Sequence, residues 1–181
     1  MRLRTMAGTF VVVAGAATAV SAGLAQAPAP GRGAARGTAA PPPATVLQVM
    51  RGILYPASNV VFAAQAADPE AVPKPPDPST SPNLLASTYG GWEAVANSAI
   101  ALNESARLLE VARMCSNGKR APIQSATWKK GISQLRAAGL DAYKAARMKS
   151  QDAVLDAAEK ITTACSTCHD TYREKTPRCT E

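Results

Sequence analysis

Trp128, Ile132, Leu135, Gly139, Ala142 and Ala146 recur at intervals of four and three. That spacing keeps apolar and small side chains on one side of a helix with 3.6 residues per turn. It sets a helix over 126–149. Three more stretches carry the same rhythm. Leu47, Met50, Leu54, Ala57, Val61 and Ala64 mark a helix over 45–67. Trp92, Val95, Ala99, Leu102, Ala106 and Leu109 mark one over 91–114. Val154, Ala158, Ile161, Cys165, Cys168 and Tyr172 mark one over 151–173. No run alternates apolar and polar over strand length, and alanine, the best helix former, recurs throughout. The expected class is all-α: an antiparallel up-down four-helix bundle with every stripe facing one core. Pro56 lies inside the first helix and should kink or interrupt it there. Ser125 and Ser150 are the expected N-caps of the third and fourth helices.

The flanks are of different composition. Residues 1–25 read as a secretory signal peptide: a basic start with Arg2 and Arg4, an apolar run rich in small residues, and small residues before a cut after Ala25. Gly and Thr interrupt the run, which is short for a membrane span. No cysteine follows it to carry a lipid anchor. Cleavage would leave an exported, periplasmic, soluble protein in a compartment that permits disulfides. Residues 26–44 are rich in Pro, Ala and Gly with no apolar face, the composition of a flexible tether. A second Pro-rich stretch, 68–82, is a long loop within the domain. The domain itself spans 45–176, and 177–181 form a short tail. Lys and Arg number 20 against 13 Asp and Glu, a formal charge of +7. The surplus is small, interspersed with acids and not gathered into a basic run, so no nucleic-acid partner is expected.

The chemistry concentrates near the C-terminus. Cys165-Ser166-Thr167-Cys168-His169 has the spacing of a c-type haem attachment site, and His169 is the sole histidine of the chain. Residues three apart on a helix share a face, so both sulfurs can reach the two vinyl groups of one porphyrin. His169 then offers its imidazole to the iron as the proximal ligand. The expected cofactor is one covalently attached haem c per chain. Two other readings use the same residues. A thioredoxin-like redox pair needs a βαβ context that the pattern lacks. A zinc site could draw on Cys115, Cys165, Cys168, His169 and Cys179, but adjacent Cys168 and His169 suit one tetrahedral ion poorly.

The segment "CSTCHDTYR", late in the chain on the last of four helices, resembles the class II c-type cytochromes, the group of cytochrome c prime. The stretches "VMRGILYPASNVVF" and "GWEAVANSAIALNESARLL" are similar to the first and second helices of exported relatives of that group. The resemblance covers roughly 45–175. It implies an electron-transfer protein rather than an enzyme, with other redox proteins as partners; the tether would give reach to membrane-associated ones. It also implies homodimer pairing through the first two helices, and it sets Arg173 beside the haem, near a propionate. The alternative for Arg173 is an exposed cation at a helix C-terminus.

With no second histidine, the other axial position falls to a methionine or stays open. His169 lies about 6 Å from the end of the fourth helix and Met50 about 7.5 Å from the start of the first, which share one end of such a bundle. Met148 lies roughly 30 Å away. Met114 is at the correct end but on a helix terminus, and Met6 leaves with the signal. Met50 is therefore the favoured iron ligand; its alternative is a core methionine. If Met50 only packs over the iron, Leu47, Met50, Leu54 and Phe62 form an apolar wall, and the module would bind nitric oxide or carbon monoxide. A third reading is a haem subunit docked to a larger redox complex, with the tether supplying reach. Cys115 and Cys179, which the resemblance does not account for, lie past helix ends at the same end and can be bridged. Two independent thiols are the alternative.

Overall fold

The computed structural model describes residues 42–173 and 179, all within one unit, Ala39–Glu181. The expected leader at 1–25, the tether up to residue 41, residues 174–178 and the last two residues lie outside the described residues.

Four helices carry the chain. The first, α1, runs Val46–Ala66. It opens on a capping box: the Gln48 N–H donates to Thr45 Oγ1 at 3.2 Å, and the Thr45 N–H donates to Gln48 Oε1 at 2.8 Å. Met50–Leu54 is a π turn, after which the helix resumes as Tyr55–Ala66. The interruption expected at Pro56 thus falls just upstream of it. A proline ring pushes on the carbonyl four residues back, so the preceding turn is the one that widens.

The second helix, α2, is Trp92–Ser105, tightening into a 3-10 turn at Ala106–Leu109. It stops five residues short of the expected 114. Side chains take the carbonyls that a longer helix would use. The Trp128 indole N–H donates to the Leu109 carbonyl at 2.9 Å, and Arg113 Nε donates to the Leu108 carbonyl at 2.8 Å. Met114 therefore sits in a loop, in an isolated bridge with Arg120, rather than on a helix end. Arg113, buried, also donates to the Ala44 carbonyl at 3.0 Å, and the Val46 N–H donates to the Met114 carbonyl at 3.0 Å. The loop after α2 therefore clamps the start of α1.

The third helix, α3, is Ala126–Arg147 and the fourth, α4, is Gln151–Tyr172. Ser150 caps α4, its hydroxyl accepting from the Ala153 N–H at 3.3 Å. Ser125 occupies the N-cap position of α3 but makes no capping bond. Its hydroxyl is instead 2.6 Å from the Tyr172 hydroxyl.

The stripes of α2 and α3 are buried in full, as is that of α4 except at Cys165 and Cys168, which are half-buried. Each helix packs on two others: α1 on α2 and α4, and α3 on α2 and α4. Lys160 meets Asp141 at 2.7 Å and Thr167 meets Gln134 at 2.8 Å, so α3 and α4 run antiparallel. Asn103 Nδ2 donates to the Arg136 carbonyl at 2.7 Å, tying α2 to α3. Between α1 and α2 the chain makes two 3-10 turns, Pro78–Thr80 and Leu84–Ala86, held down by buried Pro69, Leu85 and Ala86. The fold is all-helical, with no strand among the described residues. By length and composition α1 could cross a membrane; its buried residues pack on α2 and α4.

Candidate functional site

A cavity of about 530 Å³ opens at one end of the helices, within the usual range for small-molecule sites of about 300–1,000 Å³. Cys165, Cys168 and His169 line it from α4, and Met50 lines it from α1. The expected site residues are thus brought to one place. Leu47 and Leu54 belong to the same wall; Phe62 does not, because it lies two turns further along α1. Met148, 67% exposed beyond α3, is remote from it.

Each wall has a local cause. Cys165 and Cys168 continue the inward stripe of α4, so their sulfurs face the interior. Both are free thiols. Burial pushes the Cys165 thiol up, and burial together with the charge of Cys165 pushes Cys168 up to about 11. Both are therefore protonated at neutral pH. A Cβ on Gly131 would collide with the Cys168 sulfur. Glycine at that point of α3 is what gives the sulfur its place. The Trp128 indole, locked by its bond to Leu109, packs edge-on against Tyr172 with ring centroids 5.1 Å apart. Both rings line the cavity, and the Ser125 hydroxyl holds the Tyr172 end.

At the mouth stand two exposed cations, Arg51 and Arg173. Arg173 Nη1 lies 3.3 Å from His169 Nδ1. A guanidinium can only donate, so Nδ1 accepts in that contact. Cys115 and Cys179 are joined by a disulfide, Cα atoms 5.6 Å apart, and Cys179 contributes to the cavity wall. Their pairing removes two donors from the zinc reading, and among the described residues no three His, Cys, Asp or Glu side chains gather as a metal cluster.

The sequence pattern did not single out Gly131, Arg51 or Trp128's anchoring bond. A glycine flanking the α3 stripe was the available signal for the first; Arg51 adjoins Met50 and carried none beyond that. No protein-family model, curated protein or solved structure matches the chain.

The donor set suits a covalently held, largely apolar macrocycle. Two thiols one turn apart and an imidazole next to the second open on a cavity with mostly apolar walls and cations at its mouth. Thiols that stay protonated and a cavity of this size are compatible with haem c.

Proposed function

We propose that this chain is an exported mono-haem c-type cytochrome of class II, an antiparallel up-down bundle with its haem near one end, which carries single electrons between redox partners. The observation that carries the reading is that Cys165, Cys168, His169 and Met50 line one cavity from two different helices. Haem bound there would supply a one-electron iron couple. Cys165 and Cys168 would hold it as thioethers. His169 and Met50 would hold the iron, and since neither would need to leave, reorganisation on electron transfer would be small. Thioether ligation raises a reduction potential. Trp128, Leu54 and Leu109 exclude water from the interior side. Arg51 and Arg173 at the mouth are the cations available to the propionate carboxylates. If His169 held iron through Nε2, its ring proton would sit on Nδ1, which could not then accept from Arg173.

The test is expression with an export signal and haem-attachment machinery, followed by mass analysis and an optical spectrum. The expected result is one haem per chain and a methionine-to-ferric-iron band in the far red, lost in Met50→Ala. Bare, colourless polypeptide would end the reading. A haem-bearing protein that is high-spin and binds carbon monoxide at once would instead favour a gas-binding module, with Leu47 and Leu54 as its apolar wall.

A further inference from the structure

We infer that Pro56, although outside the cavity, is the positioning residue that turns Met50 toward it. The spectroscopic arm of the test rests on the functional reading above; the placement itself rests on the chain alone.

An α-helical N–H bonds to the carbonyl four residues back. Pro56 has no N–H, and its ring presses on the carbonyl of Gly52. Immediately upstream, α1 widens: the Tyr55 N–H donates to the Met50 carbonyl, five residues back, and Met50–Leu54 forms a π turn. Such a turn inserts one residue into the helix. The insertion is visible in what is buried. Val46 and Val49 are buried, and the next buried positions on that face are Leu54, Ala57, Val61 and Ala64. The step from Val49 to Leu54 is five residues. In a plain helix, at about 100° per residue, five residues would put Leu54 about 140° away from Val49. Ile53, which a plain helix would bury four residues after Val49, is 37% exposed instead.

The segment upstream of the turn is thus rotated by one residue, about 100°, relative to the rest of α1. Counting back from Leu54 in a plain helix gives Met50 and then Leu47 as core residues. In the folded chain Val49 and Val46 take those positions. Val49, 3% exposed, is no part of the cavity wall, whereas Met50 is half-buried and lines it. The lower part of α1 cannot make the adjustment itself, because Val61 and Ala64 are fully buried. Without the proline, the π turn can close to a plain helix, and the segment upstream, whose valines are less completely buried than Val61 and Ala64, would rotate and draw Met50 to the place of Val49 on the packed stripe.

The experiment uses three full-length proteins: the parent, Pro56→Ala, and Pro56→Ala with Ile53 deleted. Removing Ile53 leaves Val49 and Leu54 four residues apart, so a plain helix satisfies both stripes and Met50 keeps its direction. The expected result in haem-loaded protein is loss of the far-red methionine band in Pro56→Ala and its return in the deletion variant. A band retained in Pro56→Ala overturns the inference. So does loss in both variants, which would mark a merely structural effect. Oxidation of Met50 by dilute peroxide, read by mass spectrometry against exposed Met148, gives a second measure without the cofactor. In the full chain without haem, Met50 should oxidise several-fold more slowly in Pro56→Ala than in the parent or the deletion variant; equal rates in all three refute the placement. A chain that never acquires haem would defeat the proposed function, and the oxidation rates would still decide this point.

Discussion

The Cys168 sulfur occupies the space that a Cβ on Gly131 would fill. One helix yields a side chain so that the other can turn a thiol into the cavity. Gly131→Ala should therefore push the Cys168 sulfur to another rotamer. Helix propensity favours alanine by about 1 kcal/mol, so the variant should not lose its helix content. The expected outcome is a normal circular dichroism spectrum with attachment reduced at Cys168 and retained at Cys165. Mass mapping of the haem peptide reads the difference. Full attachment at both sulfurs would show that the glycine is not needed for the sulfur's position.

The Cys115–Cys179 disulfide closes a loop with a sequence separation of 64. Restricting an unfolded chain over that length is worth about 4 kcal/mol in the chain-entropy account. Cys115→Ser, or reduction by dithiothreitol, should lower the unfolding free energy, read from urea denaturation, by an amount approaching that figure. Thiol counting on the denatured haem-loaded parent should find none free, since two cysteines would be bridged and two alkylated by haem.

The free thiols of the chain without haem give a pH dependence. Burial raises both from an ordinary value of 9.0, Cys168 to about 11. The folded chain thus holds those protons more tightly than the unfolded chain. The resulting contribution to stability is complete below pH 9 and is lost as pH rises toward 11. Iodoacetamide should label the denatured chain increasingly through pH 9, and label Cys168 in the folded chain only at higher pH. A Cys165→Ser, Cys168→Ser double variant should lose less stability between pH 9 and 11 than the parent. Equal losses would show that these thiols are not desolvated.

Much of the fold could be read from spacing alone because α2, α3 and α4 are regular. Val95, Ala99 and Leu102 are buried where a period of 3.6 puts them, as are Ile132, Leu135 and Ala142. In the first helix the same spacing is one residue off upstream of Pro56. Leu47 and Met50 share a spacing with Leu54, but Val46 and Val49 share its burial. Pro56 was visible as a breaker; that the chain answers with a π turn rather than a kink depends on the core fixing both ends of the helix. The end of α2 departs from the pattern for another reason. The expected end at Met114 lies beyond the last stripe residue, Leu109, and Trp128 and Arg113 take the last carbonyls. Ser125 reads as a cap from its neighbours, while its partner, Tyr172, is 47 residues away. The cavity side chains were legible because the motif is local. Gly131 was not, since its significance lies in a sulfur on another helix.

Arg113 joins three parts of the chain at the cavity end. It is 7% exposed, and its guanidinium donates to the carbonyls of Leu108 and Ala44. A hydrogen bond to a charged donor is worth about 1.5–3 kcal/mol, and a buried carbonyl left without a partner costs about 1–3 kcal/mol. Arg113→Met keeps much of the volume and the apolar stem but removes both donors. It should destabilise the protein by about 2–4 kcal/mol, with the loss concentrated where the loop meets Thr45 and Val46. Hydrogen exchange should therefore quicken first at the Val46 amide, which donates to Met114 in the same clamp. Arg113→Lys, with one compact donor in place of a fork, should recover only part of the loss. If Arg113→Met matched the parent in urea midpoint and in exchange at Val46, the clamp would have to rest on the backbone bond alone.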